Sequence, residues 1–136
     1  MQDYPVTVRL PVQWGDLDAL GHVNNTRYFT WFESARIALF ERVGLAKTGT
    51  ALAVGPSLAT TTCDFVQPLY YPDTVVVGVR VSHIGNTSLT TEYRVERAAE
   101  PGVLVARGSG VIVTVDYRAG TKVRVPDAVR EAIGAL

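Results

Sequence analysis

The chain has 136 residues, with 13 Lys plus Arg balanced by 13 Asp plus Glu, and is 47% apolar and 19% charged. That length fits one domain, residues 1–136, with a core of its own, and zero net charge argues against a nucleic-acid binder, which needs a basic stripe. A single cysteine excludes an internal disulfide, no stretch nears the ~20 apolar residues of a membrane span, and the N-terminus MQDYPVTVRL lacks a signal-peptide pattern, so a soluble cytoplasmic protein is expected.

In chain order, residues 4–14 alternate, with Val6, Val8, Leu10 and Val12 on one parity, which predicts a half-buried strand. Residues 15–25 are rich in Gly, Asp and Asn and read as a loop. The period then changes. From Tyr28 to Val43 the apolar residues, placed about 100° apart, fill an arc of roughly 200°. That is a helix wrapped by other structure. Asn24, Asn25 or Thr26 can cap its start and Gly44 can end it.

Strand patterns follow over 57–66, 74–84, 88–97 and 103–116, separated by turn signals at Gly85-Asn86 and Pro101-Gly102. Pro126 can open a short helix at its first position. Strands joined by short turns pair antiparallel. One long apolar helix and a sheet of about five strands predict an α+β fold in which the sheet curls around the helix.

The chemistry concentrates in Trp14 to Arg36, where Asp16, Asp18, His22, Asn24 and Asn25 stand between a strand end and a helix start. A helix N-terminus presents unpaired N–H groups and about half a positive charge, and can hold a carbonyl oxygen that becomes negative. A carboxylate opposite it can attack a thioester or activate water. Asp and Asn before a helix are also ordinary caps and loop formers, so the residues alone leave both readings open.

The run Asp16-x-Asp18-x-x-Gly21-His22-Val23-Asn24-Asn25-x-x-Tyr28, continuing to Glu33-x-Ala35-Arg36, resembles the N-terminal motif of the 4-hydroxybenzoyl-CoA thioesterase-like family, of the hotdog superfamily. Phe65-Val66-Gln67-Pro68-Leu69, running to Asp73, resembles the family's strand entry after the helix. Gln13 and Pro72 depart from residues common in the family, Arg and Gly. The resemblance implies a hotdog fold and an acyl-CoA thioesterase. Asp18 then matches the catalytic carboxylate and the N–H near Asn25 the oxyanion donor, while His22, in the site loop, is taken as a third catalytic residue that polarises the carbonyl or holds Asp18, or else fixes the loop. Gly21, Val23, Tyr28 and Glu33 are the expected substrate contacts. It further implies a homodimer, often paired into a tetramer, with sites at subunit boundaries and no metal or organic cofactor. A hotdog dehydratase and a non-catalytic acyl-thioester binder are the alternatives.

Other residues carry less. Asp16 is expected to support the loop. Glu33 and Arg36 are spaced to pair along the helix. Arg36 falls inside the apolar arc, where a charge must be paired or must snorkel. His83, at an apolar parity, and Cys63, as a small strand hydrophobe, read as structural. Arg80, Arg94, Arg107, Lys122 and Arg124 are candidates for coenzyme A phosphates by type alone. No G-x-S-x-G elbow, zinc-ligand spacing or P-loop is present.

Overall fold

The computed structural model describes residues 1–46 and 53–136. Strand β1 (Val6–Val12) leads through a 3₁₀ turn at Trp14–Asp16 to helix α1 (Asn25–Val43). Four strands follow: β2 (Val54–Phe65), β3 (Asp73–Ile84), β4 (Ser88–Arg97) and β5 (Ala106–Asp116). A two-residue strand β6 (Thr121–Lys122) and helix α2 (Asp127–Gly134) end the chain. All pairings are antiparallel in the order β1-β3-β4-β5-β2, with β6 added to β5. The sheet therefore has six strands, five of them long, and the sixth is too short to show as a period.

Helix α1 starts where Asn24 Oδ1 accepts a hydrogen bond from the Thr26 N–H at 2.9 Å, and it ends at Gly44, whose φ of 77° is left-handed. Phe32, Ala35 and Leu39 are fully buried along it. They meet Val75, Val77 and Val79 of β3 and Leu89, Tyr93 and Val95 of β4, all at or near zero exposure. Phe32 stacks on Tyr93 with centroids 4.5 Å apart and planes 12° apart. Gly108 of β5 lies beneath: a Cβ there would sit 2.4 Å from the Phe32 ring and 2.4 Å from the Thr62 carbonyl oxygen. The Phe32 ring of α1 thus reaches the backbone of β5 because that strand shows glycine, not a side chain, at this point.

Three departures from the alternating pattern have local causes. The β3–β4 register shifts between Val81 and His83, which turns His83 outward and exposes it, so its parity is not apolar. Strand β5 opens at Ala106, later than its sequence pattern, because Val105 N–H already donates to Val95 O while its own carbonyl takes the Val66 and Gln67 N–H groups. Pro126 stands as the cap before α2, one position earlier than expected.

The outer face of the sheet is polar. Arg80 pairs with Glu92 at 2.7 Å, Arg94 with Glu96 at 2.6 Å and Arg107 with Asp64 at 3.3 Å. The N-terminal segment crosses this face, with Tyr4 under the Arg80 guanidinium at 4.8 Å. Among the described residues no helix is long and apolar enough to cross a membrane.

Candidate active site

The loop between β1 and α1 is stitched by its own backbone. Asp18 N–H donates to His22 O at 2.8 Å, Gly21 N–H donates to Asp18 O at 3.1 Å, and Asn24 N–H donates to Asp16 O at 2.8 Å. Gly21 has a φ of 81°, a left-handed turn that glycine adopts without strain. Val23 N–H donates to Leu69 O at 2.9 Å and ties the loop to the segment entering β3.

Within this loop Asp18 Oδ1 accepts from Leu20 N–H at 2.8 Å and His22 N–H at 3.3 Å. Its other oxygen takes no hydrogen bond from any described residue. The carboxylate is half-buried and lines a cleft of about 210 Å³ together with His22, Val23, Asn25, Tyr28 and residues 65–68. Asn25 is the first residue of α1, and its N–H is one of the helix's orphan donors, with no partner among the described residues. A fixed carboxylate and the positive end of a 19-residue helix therefore open onto one space. That arrangement can place a base or nucleophile on one side of a carbonyl and a donor at its oxygen.

Tyr28 is 2% exposed, and its ring packs edge-on to Phe65 with centroids 5.0 Å apart. Burial pushes its phenol up to about 12, with the nearby Cys63 adding to the shift. The Cys63 thiol is likewise pushed up to about 12, by burial first and then by the Asp64 charge, so it is no nucleophile at neutral pH. His22 meets Tyr70 edge-on at 5.1 Å.

The structure brings Asp18, His22, Val23, Asn25 and Tyr28 to one cleft. Gly21 shapes the turn and does not line it. Glu33 is exposed and lies eight residues, about 12 Å, along the helix from Asn25. The Glu33–Arg36 pair expected from spacing does not form; Arg36 turns inward to the Tyr93 hydroxyl at 3.3 Å. Asp16 supports the loop as expected, accepting from Gln13 N–H at 2.8 Å and facing Arg27 at 3.5 Å. Arg80, Arg94, Arg107, Lys122 and Arg124 all lie away from the cleft lining. Among the described residues no three His, Cys, Asp or Glu side chains gather as metal ligands.

Sequence patterns assign no site role to the wall formed by Phe65, Val66, Gln67 and Pro68, or to the residue that fixes it. Arg97 donates to Gln67 Oε1 at 2.9 Å and to the Pro68 carbonyl, and its charge faces Asp73 at 3.4 Å and Glu100 at 3.7 Å. An arginine bonded to a main-chain carbonyl 29 residues earlier leaves no local sequence signal.

The fold and this loop define a hotdog-type α+β domain whose candidate site sits at the start of its central helix. The sequence profile of the thioesterase-like superfamily matches residues 12–133, and the chain belongs to that superfamily. Its general chemistry is thioester hydrolysis. A thioesterase of Thermus thermophilus, solved with coenzyme A and Zn, is 34% identical, with a TM-score of 0.84, covering 99% of this chain and 96% of that one. The PA2801 protein of Pseudomonas aeruginosa is 36% identical, with a TM-score of 0.87 and coverage of 96% and 98%. The chloroplastic acyl-acyl carrier protein thioesterase ATL3 of Arabidopsis thaliana is 30% identical over 130 residues, 90% of this chain and 64% of that protein.

Proposed function

We propose that the chain is an acyl-CoA thioesterase in which Asp18 acts as base or nucleophile and the Asn25 N–H holds the thioester oxygen. The single observation behind this is that the unpartnered half of the Asp18 carboxylate and the α1 N-terminus share one cleft. In the reaction, water or Asp18 itself adds to the thioester carbon. The oxygen that gains charge is met by the helix dipole and the Asn25 amide, and the C–S bond then breaks, the sulfur leaving with the proton that water gave up. Where Asp18 itself adds, water then hydrolyses the acyl–Asp18 anhydride to free the acid and the carboxylate. His22 orients the loop that carries Asp18, and Tyr28, neutral through burial, forms the cleft floor. No metal or organic cofactor takes part.

Coenzyme A is favoured as the carrier because the Thermus relative, solved with coenzyme A, matches over nearly its whole length. The acyl-carrier-protein enzyme matches over 64% of its own length. The cleft of about 210 Å³ is smaller than pockets that enclose a whole ligand, about 300–1,000 Å³. A homodimer, with two such dimers pairing, would complete it, each site lying at a subunit boundary.

The test is release of free thiol from a panel of acyl-CoAs by the wild type and Asp18→Asn. The wild type is expected to turn over at least one of them, and the variant to lose about 100-fold or more in kcat. Equal turnover by the variant removes Asp18 from the mechanism. Tight acyl-CoA binding without thiol release removes the enzyme reading.

A further inference from the structure

Arg36 is 6% exposed, and its one partner among the described residues is neutral: Nη1 donates to the Tyr93 hydroxyl at 3.3 Å, and that hydroxyl is shared with Thr91 Oγ1 at 2.9 Å. No carboxylate faces it among the described residues, and residues 47–52, Lys-Thr-Gly-Thr-Ala-Leu, contain no acid. Burying an arginine charge without an anion is strongly unfavourable. Among the described residues only Thr61 Oγ1 is a fully enclosed side-chain polar atom without a partner. The Arg36 nitrogens not used on Tyr93 have no hydrogen-bond partner among the described residues.

The helix wheel gives the direction in which they point. Arg42 donates to Pro5 O at 3.0 Å, beside β1, which fixes one flank of α1 against the β1 edge of the sheet. At about 100° per residue, Arg36 lies roughly 120° around the helix from Arg42, with Glu33 about 60° beyond Arg36. Both therefore face the opposite edge, strand β2. That edge is 12 residues long and exposed through its middle, with Leu58 at 43%; on the helix Ile37 is 44% exposed. An open, partly apolar edge is a template for a second strand, and the register shift between Leu58 and Thr60 marks where its pairing would bend. Glu33, on the same flank, is exposed and has no partner among the described residues.

We infer that Arg36 is a carboxylate-binding site completed by a second copy of this chain, whose Glu33 supplies the anion, while Glu33 of the first copy fills the second copy's site. The inference rests on the two-subunit reading above. If two β2 strands pair about a two-fold axis, the two sheets become continuous and the α1 flanks that carry Glu33 and Arg36 face each other across the seam. A two-fold contact is self-complementary: residue i meets j and j meets i. Antiparallel helices centred between residues 33 and 36 make both pairs at once. The pair suggested by the i, i+3 spacing is thus made between chains instead of within one.

Sedimentation equilibrium over a dilution series, with wild type, Glu33→Gln and Arg36→Met, reads self-association directly. Each variant is expected to weaken it by about thirtyfold or more, as loss of one partner of a buried charge pair does. Mixing the two variants carries the decisive readout. A heterodimer regains one intact pair, because one chain keeps Arg36 and the other keeps Glu33. Native mass spectrometry of the mixture should show heterodimer above the statistical half. A statistical mixture, or unweakened variants, overturns the pair while leaving the dimer standing. A wild type that stays monomeric at every concentration overturns the two-subunit reading with it. Should Arg36→Met fail to fold, Glu33→Lys, at an exposed position, carries the test: it sets like charges together, and an unchanged dissociation constant refutes the pair.

Discussion

Phe32 lies over Gly108 so closely that a Cβ on that glycine would come within 2.4 Å of both the ring and the Thr62 carbonyl oxygen. The ring cannot retreat, because Tyr93 is stacked on it at 4.5 Å, and the carbonyl belongs to a paired strand. Gly108→Ala is therefore expected to destabilise the fold by about 2–3 kcal/mol, the upper range for overpacking a core. For a domain this size that lowers Tm by several degrees, which a thermal melt measures. A Tm within a degree of wild type would mean that α1 shifts freely over β5.

Asn24 joins stability to the site. Its Oδ1 accepts from the Thr26 N–H at 2.9 Å and the Thr26 hydroxyl at 2.7 Å, and the next residue carries the proposed oxyanion donor. Asn24→Ala is expected to lose about 1 kcal/mol of stability, as N-cap deletions do. It should also reduce kcat, because the first turn that aims the Asn25 N–H then frays. Asn24→Asp keeps an acceptor at the cap and should restore both. Loss of stability with kcat intact would detach the helix start from the chemistry.

What the sequence makes legible depends on how local the cause is. The helix, its Asn24 and Gly44 ends and the loop carrying Asp18, His22 and Asn25 are set by neighbours a few residues apart, and they stand where pattern and motif place them. Alternation also finds β1, β3 and β4 to within about two residues. The Val81/His83 register shift defeats it, since one extra residue reverses every parity beyond it. Arg36 illustrates a second limit. Helix spacing offers Glu33 as its partner, but the tertiary fold gives it Tyr93, 57 residues later. The cleft wall at residues 65–68 is invisible for the same reason, because it acquires its position only when Arg97 and Val105 reach back to it.

Arg97 should act on substrate binding more than on the chemical step. It touches no reacting group; it fixes Gln67 and Pro68, which form one side of the cleft, and is itself oriented by Asp73 and Glu100. Arg97→Met removes those bonds and leaves Asp73 without its cation. KM is expected to rise about tenfold with kcat changed less than threefold, the mark of lost uniform binding. Arg97→Lys keeps the charge but cannot reach Gln67 and Pro68 together, so it should recover only part of the loss. An equal fall in kcat at unchanged KM would place Arg97 in the chemical step instead.

Alkaline pH should unfold this protein through two neighbouring groups. Tyr28 and Cys63 are both pushed up to about 12 in the folded chain, from 10.0 and 9.0, mainly by burial. A folded value above the unfolded one means that the folded state holds its proton more tightly. That stability is fully present below about pH 9 and is lost as pH rises from 9 towards 12. Melting temperature measured from pH 8 to 11 should fall across that window. Cys63→Ala removes the thiol's share, and Tyr28→Phe the phenol's. Each variant should flatten the decline even if its Tm at pH 8 is lower than wild type. A decline of the same steepness in the double variant would assign the alkaline loss to other groups and would deny that these two are held neutral by the fold.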